Sequence, residues 1–250
     1  MNESEFEAHA RVEDRHWWFV GRRRIISALV REAASGTRLP VADIGCGTGG
    51  NAAALHALGH DVIGLDPSVV AIGLARERFP TVSFVNTADP GAARAHLAGG
   101  GVAILADVLE HVQNDHELLR QVIDVIPSGG HVLITVPADP ALWSPHDVAF
   151  GHHRRYDVAT LSALWSGAPV ETRLLSHFNA RLRPVIAAVR RVRRDAAPRP
   201  GGDLRRPFRG LNSALAHLLA GERHALVGAI DTGRMPHRRG VSLVALLRRR

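Results

Sequence analysis

Val41-Ala-Asp-Ile-Gly-Cys-Gly-Thr-Gly-Gly50 decides the fold. A short apolar strand, Leu39–Ile44, runs into clustered glycines, and Asn51–Leu58 behind them reads as a helix closed by Gly59. Glycines let a chain turn sharply and let its backbone approach a ligand with no Cβ in the way. A helix start just beyond such a turn offers unpaired N–H groups to a polar ligand.

Outward from this unit, strands and helices alternate. Asp61–Leu65 reads as a second strand, ending at Asp66-Pro67, and Ser68 caps a helix to Arg78. Val82–Val85, Val102–Ala106 and His131–Val136 read as further strands, with helices over Ala92–Leu97 and Asp115–Val125 and a turn at Pro127–Gly130. The strands are Val/Ile/Leu-rich and barely alternate, as expected where both faces are covered. The pattern is an α/β fold with a doubly wound, mainly parallel sheet. In such sheets ligands sit at the carboxyl ends of the strands.

The flanks are less regular. Residues 3–34 read as one helical region whose apolar face holds Trp17, Trp18, Phe19, Ile25, Ile26, Leu29 and Val30. Residues 138–160 form a polar loop rich in His and Arg, followed by a strand at Val170–Phe178 and a basic helix at Asn179–Arg193. Asp195–Pro207 reads as a linker, Leu211–Ile230 as an amphipathic helix, and Gly240–Leu247 as a last strand.

Composition sets the outer bounds. The 250 residues, 46% apolar and 22% charged, fit one globular domain, or one with an appendage. Cys46 is the sole cysteine, which rules out an internal disulfide and fits a reducing, cytoplasmic setting. The acidic start does not read as a secretory signal, and no apolar run approaches the roughly 18 residues of a membrane span. The net charge of +7 divides unevenly: residues 173–250 carry 18 arginines against 4 acids, and residues 1–172 carry 13 against 20. A basic tail of this kind fits an anionic partner, such as a phospholipid surface, a phosphorylated substrate or nucleic acid, or else a solvated arginine-rich face.

The glycine loop by itself leaves two cofactor classes open. Gly45, Gly47 and Gly50 satisfy the dinucleotide fingerprint, and Asp66, 21 residues after Gly45, suits a ribose diol in either class. Asp43 separates them. A carboxylate beside a pyrophosphate is repulsive, whereas beside the ammonium of a methionyl group it is attractive.

The segments VADIGCGTGG (41–50), Asp66-Pro67, ADVLEHV (106–112) and IPSGGHVLITVP (126–137) resemble, in order and spacing, the motifs of class I SAM-dependent methyltransferases. HWWFVGRRRII, WSPHDVAFGHHRRYD and PHRRGVSLVALLRR resemble a bacterial branch acting on sugars, lipid-linked intermediates, quinones and natural products. The resemblance implies a Rossmann-like seven-stranded sheet with a last antiparallel strand. It divides the chain into an N-terminal helical lid (1–36), a SAM-binding domain (37–178), a basic helical insertion (179–239) and a returning strand (240–250). It places Asp43, Gly45, Gly47 and Gly49 around the methionyl part of S-adenosyl-L-methionine. Cys46 sits there as loop filler, Asp66 with Pro67 falls at the ribose, and Asp107 and Val108 form the floor. The adenine-side acid falls at Asp89.

The implied activity is methyl transfer to a small-molecule acceptor, with a hydroxyl of a sugar, glycolipid, quinone or natural product expected. The acceptor is expected to be phosphorylated or lipid-linked, with the basic C-terminal region in peripheral contact with anionic membrane at the inner face. A hydroxyl acceptor gains from a base near neutrality, and His111, His146 (paired with Asp147) and His152 are the candidates. Arg154 and Arg155 could grip an anionic group on the acceptor. Asp107-x-x-Glu110-His111 resembles an acid-x-x-Glu-His pattern that holds a divalent metal in some quinone and small-RNA methyltransferases. Glu110 and His111 are read here as polar contacts of a helix start, with no metal expected. The competing readings are an NAD(P)-dependent oxidoreductase on the same glycine loop and a nucleic-acid (RNA) methyltransferase. The tail lacks the interleaved aromatics that stack bases.

Overall fold

The computed structural model describes residues 3–192 and 207–250. Seven strands form one sheet: β1 (Val41–Ile44), β2 (Val62–Asp66), β3 (Ser83–Asn86), β4 (Val102–Ala106), β5 (His131–Pro137), β6 (Val170–Phe178) and β7 (Ser242–Arg249), in the order β3-β2-β1-β4-β5-β7-β6. The first five are parallel, and β7 runs antiparallel between β5 and β6. The strand order reverses between β1 and β4, which opens a crevice at their carboxyl ends.

The helices are α1 (Glu3–Val12), α2 (Trp17–Ala33), α3 (Gly50–Ala57), α4 (Val69–Arg78), α5 (Asp115–Val125), α6 (Pro145–Ala149), α7 (Val158–Ala163), α8 (Arg183–Val192), α9 (Arg209–Ala220) and α10 (Arg223–Val227). They cover both faces. Val41 and Ile104 point into a core shared with Ile25 and Leu29 of α2, Leu55 of α3 and Leu219 of α9. Ala42 and Leu105 point the other way, into a core with Leu119 and Ile123 of α5. Every residue of β1 and β4 is buried, which explains their lack of polar alternation. Leu29 is fully buried, and its truncation to alanine would cost about 2–5 kcal/mol.

Four expected elements are corrected. The N-terminal helical region breaks at residues 13–16 because Asn212 of α9 claims the turn. Its Oδ1 accepts from Trp17 N–H (3.0 Å) and its amide donates to the Arg15 carbonyl (2.8 Å). The helix at 211–230 divides into α9 and α10 at Glu222, whose buried carboxylate accepts from the N–H groups of Ala180 and Arg181. The helix at 92–97 is only a 3₁₀ turn at Pro90–Ala93. The 138–160 loop contains α6, the start of α7 and a 3₁₀ turn at Pro140–Leu142. The linker at 195–207 lies, except for Pro207, outside the described residues. No helix among the described residues is long and apolar enough to cross a membrane.

Candidate active site

A cavity of about 820 Å³ opens at the β1/β4 crevice. The glycine loop, the Asp66–Ser68 turn and the residues after β4 wall one half. Residues 146–155 and α8 wall the other, and α1 and α2 lie across both.

The loop is built for close approach. Gly45 has φ +72°, and a Cβ there would sit 2.6 Å from the Val108 side chain. Gly47 has φ +54° with open space where its Cβ would point. The Gly47 N–H donates to Asp66 Oδ2 (2.9 Å), and the Ser68 N–H donates to Oδ1 (2.8 Å), so the Asp66 carboxylate is fixed in the cavity wall. Burial raises its pKa, against the pull of those two N–H groups.

Asp43 lies behind the wall, 1% exposed, and neither carboxylate oxygen has a hydrogen-bond partner. Burial pushes its pKa to about 7, with Arg22 pulling down and Asp66 and Glu13 pushing up. The backbone N–H of Ala52 also pulls it down. Cys46, Pro67, Asp107 and Val108 are wall residues. Cys46 is a buried thiol with its pKa pushed well up by burial, the state of an inert filler. Gly49 starts α3 beneath Phe84 and is not in the wall. Asp89 is exposed, accepts from the Gly91 N–H (2.7 Å) and likewise lies outside the wall.

Asp107 adopts φ +58° and accepts from Thr135 Oγ1 (3.0 Å). Its other oxygen is paired with Arg22 of α2. Arg22 stands in the run Arg22-Arg23-Arg24 of α2, and nothing in the sequence alone singles it out. Only the helical phase that buries it under Trp18 and Phe19 marks it out.

In the other half, His111, His146 and His152 come together. The His111 and His152 rings lie 4.7 Å apart, and those of His146 and His152 6.4 Å apart. Asp147 is fully buried, and its partner is His152 rather than the expected His146: His152 Nδ1 meets Asp147 Oδ1 at 2.9 Å. Arg155 Nε also donates to that oxygen (2.8 Å), while Oδ2 caps Ser144. Burial alone would raise the Asp147 carboxyl, but His152, Arg155 and Arg190 hold it well below the usual carboxylate range. His146 packs on Phe150 at 4.5 Å. Arg155 reaches the cavity wall, whereas Arg154 turns to Asp115 and the Gln113 carbonyl.

Glu110 is fully buried, and both of its oxygens lack partners. Burial pushes its pKa to about 8 and that of His111 down to about 3. Glu110, His111 and His152 each offer a ligand atom within 4.8 Å of the others. This set differs from the sequence pattern, because Asp107 is taken by Arg22 and His152 replaces it. Val185, Ile186 and Val189 of α8 add an apolar wall that the sequence had not tied to the site.

Comparisons with known proteins fit this geometry. The model of a family described as "Methyltransferase domain" matches residues 17–181. No curated protein matches the sequence. Among solved structures, the chain is similar to the plantazolicin methyltransferase BpumL in complex with SAH (15% identity, 92% of this chain and 83% of that one, TM-score 0.54). It is also similar to an S-adenosylmethionine dependent methyltransferase from Mesorhizobium loti (18%, 84% and 91%, TM-score 0.52). A third is a TehB-like SAM-dependent methyltransferase from Corynebacterium glutamicum (16%, 92% and 88%, TM-score 0.51). With the family model spanning most of the sheet and the crevice lying where the strand order reverses, the chain belongs to the methyltransferase-domain family and has the class I, Rossmann-like fold of SAM-dependent methyltransferases.

Proposed function

We propose that this protein methylates a hydroxyl of a small-molecule acceptor, with His152 as the general base. S-adenosyl-L-methionine, held by the glycine loop and Asp66, supplies a methyl group already electrophilic on its sulfonium. The carboxylates of Asp43 and Asp66 favour this cationic cofactor and oppose a dinucleotide pyrophosphate.

The observation that carries the proposal is the anchoring of His152 on buried Asp147. With Asp147 accepting, Nδ1 carries the proton and Nε2 is the nitrogen left to take one. An acceptor hydroxyl would give its proton to Nε2 as its oxygen took up the methyl group that the bound cofactor would supply, with the cofactor leaving as a neutral thioether. Asp147 steadies the imidazolium that forms, as a buried carboxylate does in other histidine-based sites. The apolar side chains of α8 fit an acceptor with an apolar body, such as a lipid-linked or polyketide-like molecule. Incubating candidate acceptors with methyl-labelled SAM, followed by mass spectrometry, tests the proposal. Label on oxygen that disappears in His152→Ala supports it. Label on nitrogen or carbon, or full turnover by that variant, refutes it.

A second reading follows from the cluster of Glu110, His111 and His152. Oxygen and imidazole donors suit a divalent cation, and the buried, unpartnered Glu110 would be neutralised by one. His152 would then be a ligand oriented by Asp147, and the cation would supply the acidifying of the acceptor hydroxyl. Loss of turnover in a chelator, restored by added Mn²⁺ or Mg²⁺, selects this reading. Turnover indifferent to chelator rejects it.

A further inference from the structure

A second cavity, of about 470 Å³, lies outside the catalytic one, between the turn that joins α1 to α2 and the first half of α9. Arg15 of the turn, Arg24 of α2 and Arg209 at the start of α9 line it. Among the described residues, none of these three guanidinium groups has a carboxylate or other hydrogen-bond partner. The acid in the wall, Asp14, is already bonded to Arg78 (2.8 Å). The frame around the arginines is firm. Buried Asn212 of α9 grips the turn on both sides of His16, through the Arg15 carbonyl and the Trp17 N–H. A Cβ on Gly21 would lie 2.7 Å from the Leu219 side chain, so α2 and α9 are in close contact. His217 Nδ1 donates to the Ser213 carbonyl (2.8 Å), and the Ser213 hydroxyl has no partner among the described residues.

We infer that this second cavity binds a phosphate or diphosphate group of a ligand other than the cofactor. Three positive charges on one concave wall, with no acid of their own, focus the field on an anion. A guanidinium fork matches two phosphate oxygens at once. Helix α9 starts at Arg209 without a capping side chain, so the positive end of its dipole adds to the same field. The Ser213 hydroxyl supplies a neutral donor. The volume is more than a single phosphate fills, which leaves room for a second one or for the group it is esterified to. The site backs onto the catalytic cavity without opening the same wall. Glu13, His16 and Trp17, from the same stretch of chain as Arg15, face the catalytic side. The occupant therefore sits one turn of chain away from the reaction rather than within it.

Isothermal titration with inorganic pyrophosphate, in about 0.15 M salt to screen diffuse attraction, tests a soluble source of the phosphate. The wild-type chain should bind it. The double variant Arg24→Gln/Arg209→Gln should weaken binding at least about tenfold, the size of a charge-assisted hydrogen bond. Arg31→Gln/Arg238→Gln removes the same charge from exposed positions outside the cavity and should change binding less than about twofold. Circular dichroism checks the fold of both variants. Flotation with phosphatidylglycerol vesicles tests a lipid headgroup as the source. Flotation lost in the Arg24/Arg209 variant alone, with no pyrophosphate bound by the wild type, supports the site and assigns its phosphate to a lipid. Equal weakening by the two double variants reduces the cavity to general surface charge and overturns the inference. Pyrophosphate binding that neither variant changes puts the anion elsewhere and overturns it too. So does a wild type that binds no pyrophosphate and no vesicles, whether or not the variants fold, or one that binds no pyrophosphate and floats no better than the Arg24/Arg209 variant.

Discussion

The two halves of the cavity are made in different ways. The cofactor half is mostly backbone: the turn after β1, the end of β2 and the first residues after β4, locked together by ladder register that sets Asp43 opposite Gly64 and Ile44 opposite Leu65. The acceptor half is mostly side chains: Glu110 and His111 after β4, His146 and His152 around α6, Arg155 beyond it and Val185 and Val189 from α8. A site made of backbone should fail when a side chain is added, and a site made of side chains should fail when one is removed. That contrast orders the tests.

The largest effect expected is on the backbone half. Gly45→Val requires a β-branched residue at φ +72° and places its Cβ 2.6 Å from Val108. SAM affinity should fall by about a hundredfold or more, from strain and lost approach together. The reading is a titration of a variant first shown to be folded by circular dichroism. Retained affinity would mean that the loop does not touch the cofactor closely, and the contrast between the halves would collapse. His152→Ala comes next. It should lower kcat by about 10²–10⁴-fold, the usual share of a general base, while SAM affinity stays within about twofold. A parallel loss of SAM binding would show the two halves to be one cooperative unit.

The same division decides what the sequence discloses. The positions of Gly45, Gly47 and Asp66 follow from local order, with strand, turn and helix adjacent in the chain, and β4 and β6 fall where periodicity and composition place them. Asp43 is visible for the same reason, whereas Asp107 enters only through the family resemblance. The acceptor half is assembled across long separations. Asp147 chooses His152 over His146 because the capping box at Ser144 turns its carboxylate inward, a choice that no spacing rule contains. The break between α1 and α2 is held by Asn212, nearly two hundred residues away. Pairwise contacts of this kind are fixed by tertiary packing, and a local pattern has no access to them.

A pH titration sharpens the contrast further, since the cofactor half has its own buried switch. The Asp43 carboxyl, raised to about 7 by burial, is protonated in the unliganded protein below that pH. An ammonium placed beside it favours the carboxylate and lowers its pKa in the complex. Binding below pH 7 therefore releases a proton, and SAM affinity should rise by up to about tenfold per pH unit on approach to pH 7 and level off above it. The same raised pKa favours the empty folded state at low pH, a contribution lost as pH rises through about 7. Titrations in two buffers of different ionisation enthalpy count the proton, and Asp43→Asn should abolish both the release and the slope. A flat profile in the wild type would detach Asp43 from the ammonium.

The smallest effect is expected at Asp89, the acid that the family resemblance places by the adenine. In the fold its carboxylate accepts from the Gly91 N–H and caps the turn at Pro90–Ala93, outside the cavity wall. Loss of such a cap on an exposed turn costs about 0.5–2 kcal/mol of stability, and only if the turn itself matters to folding. Asp89→Ala should therefore leave SAM affinity within about twofold of wild type, and shift thermal unfolding downward by a few degrees at most. A tenfold loss in affinity would place the adenine against this turn after all. It would extend the cavity past β3 and move the boundary of the backbone-built half by one strand. A neutral result leaves Asp89 as the cap of this turn, with no part in holding the cofactor.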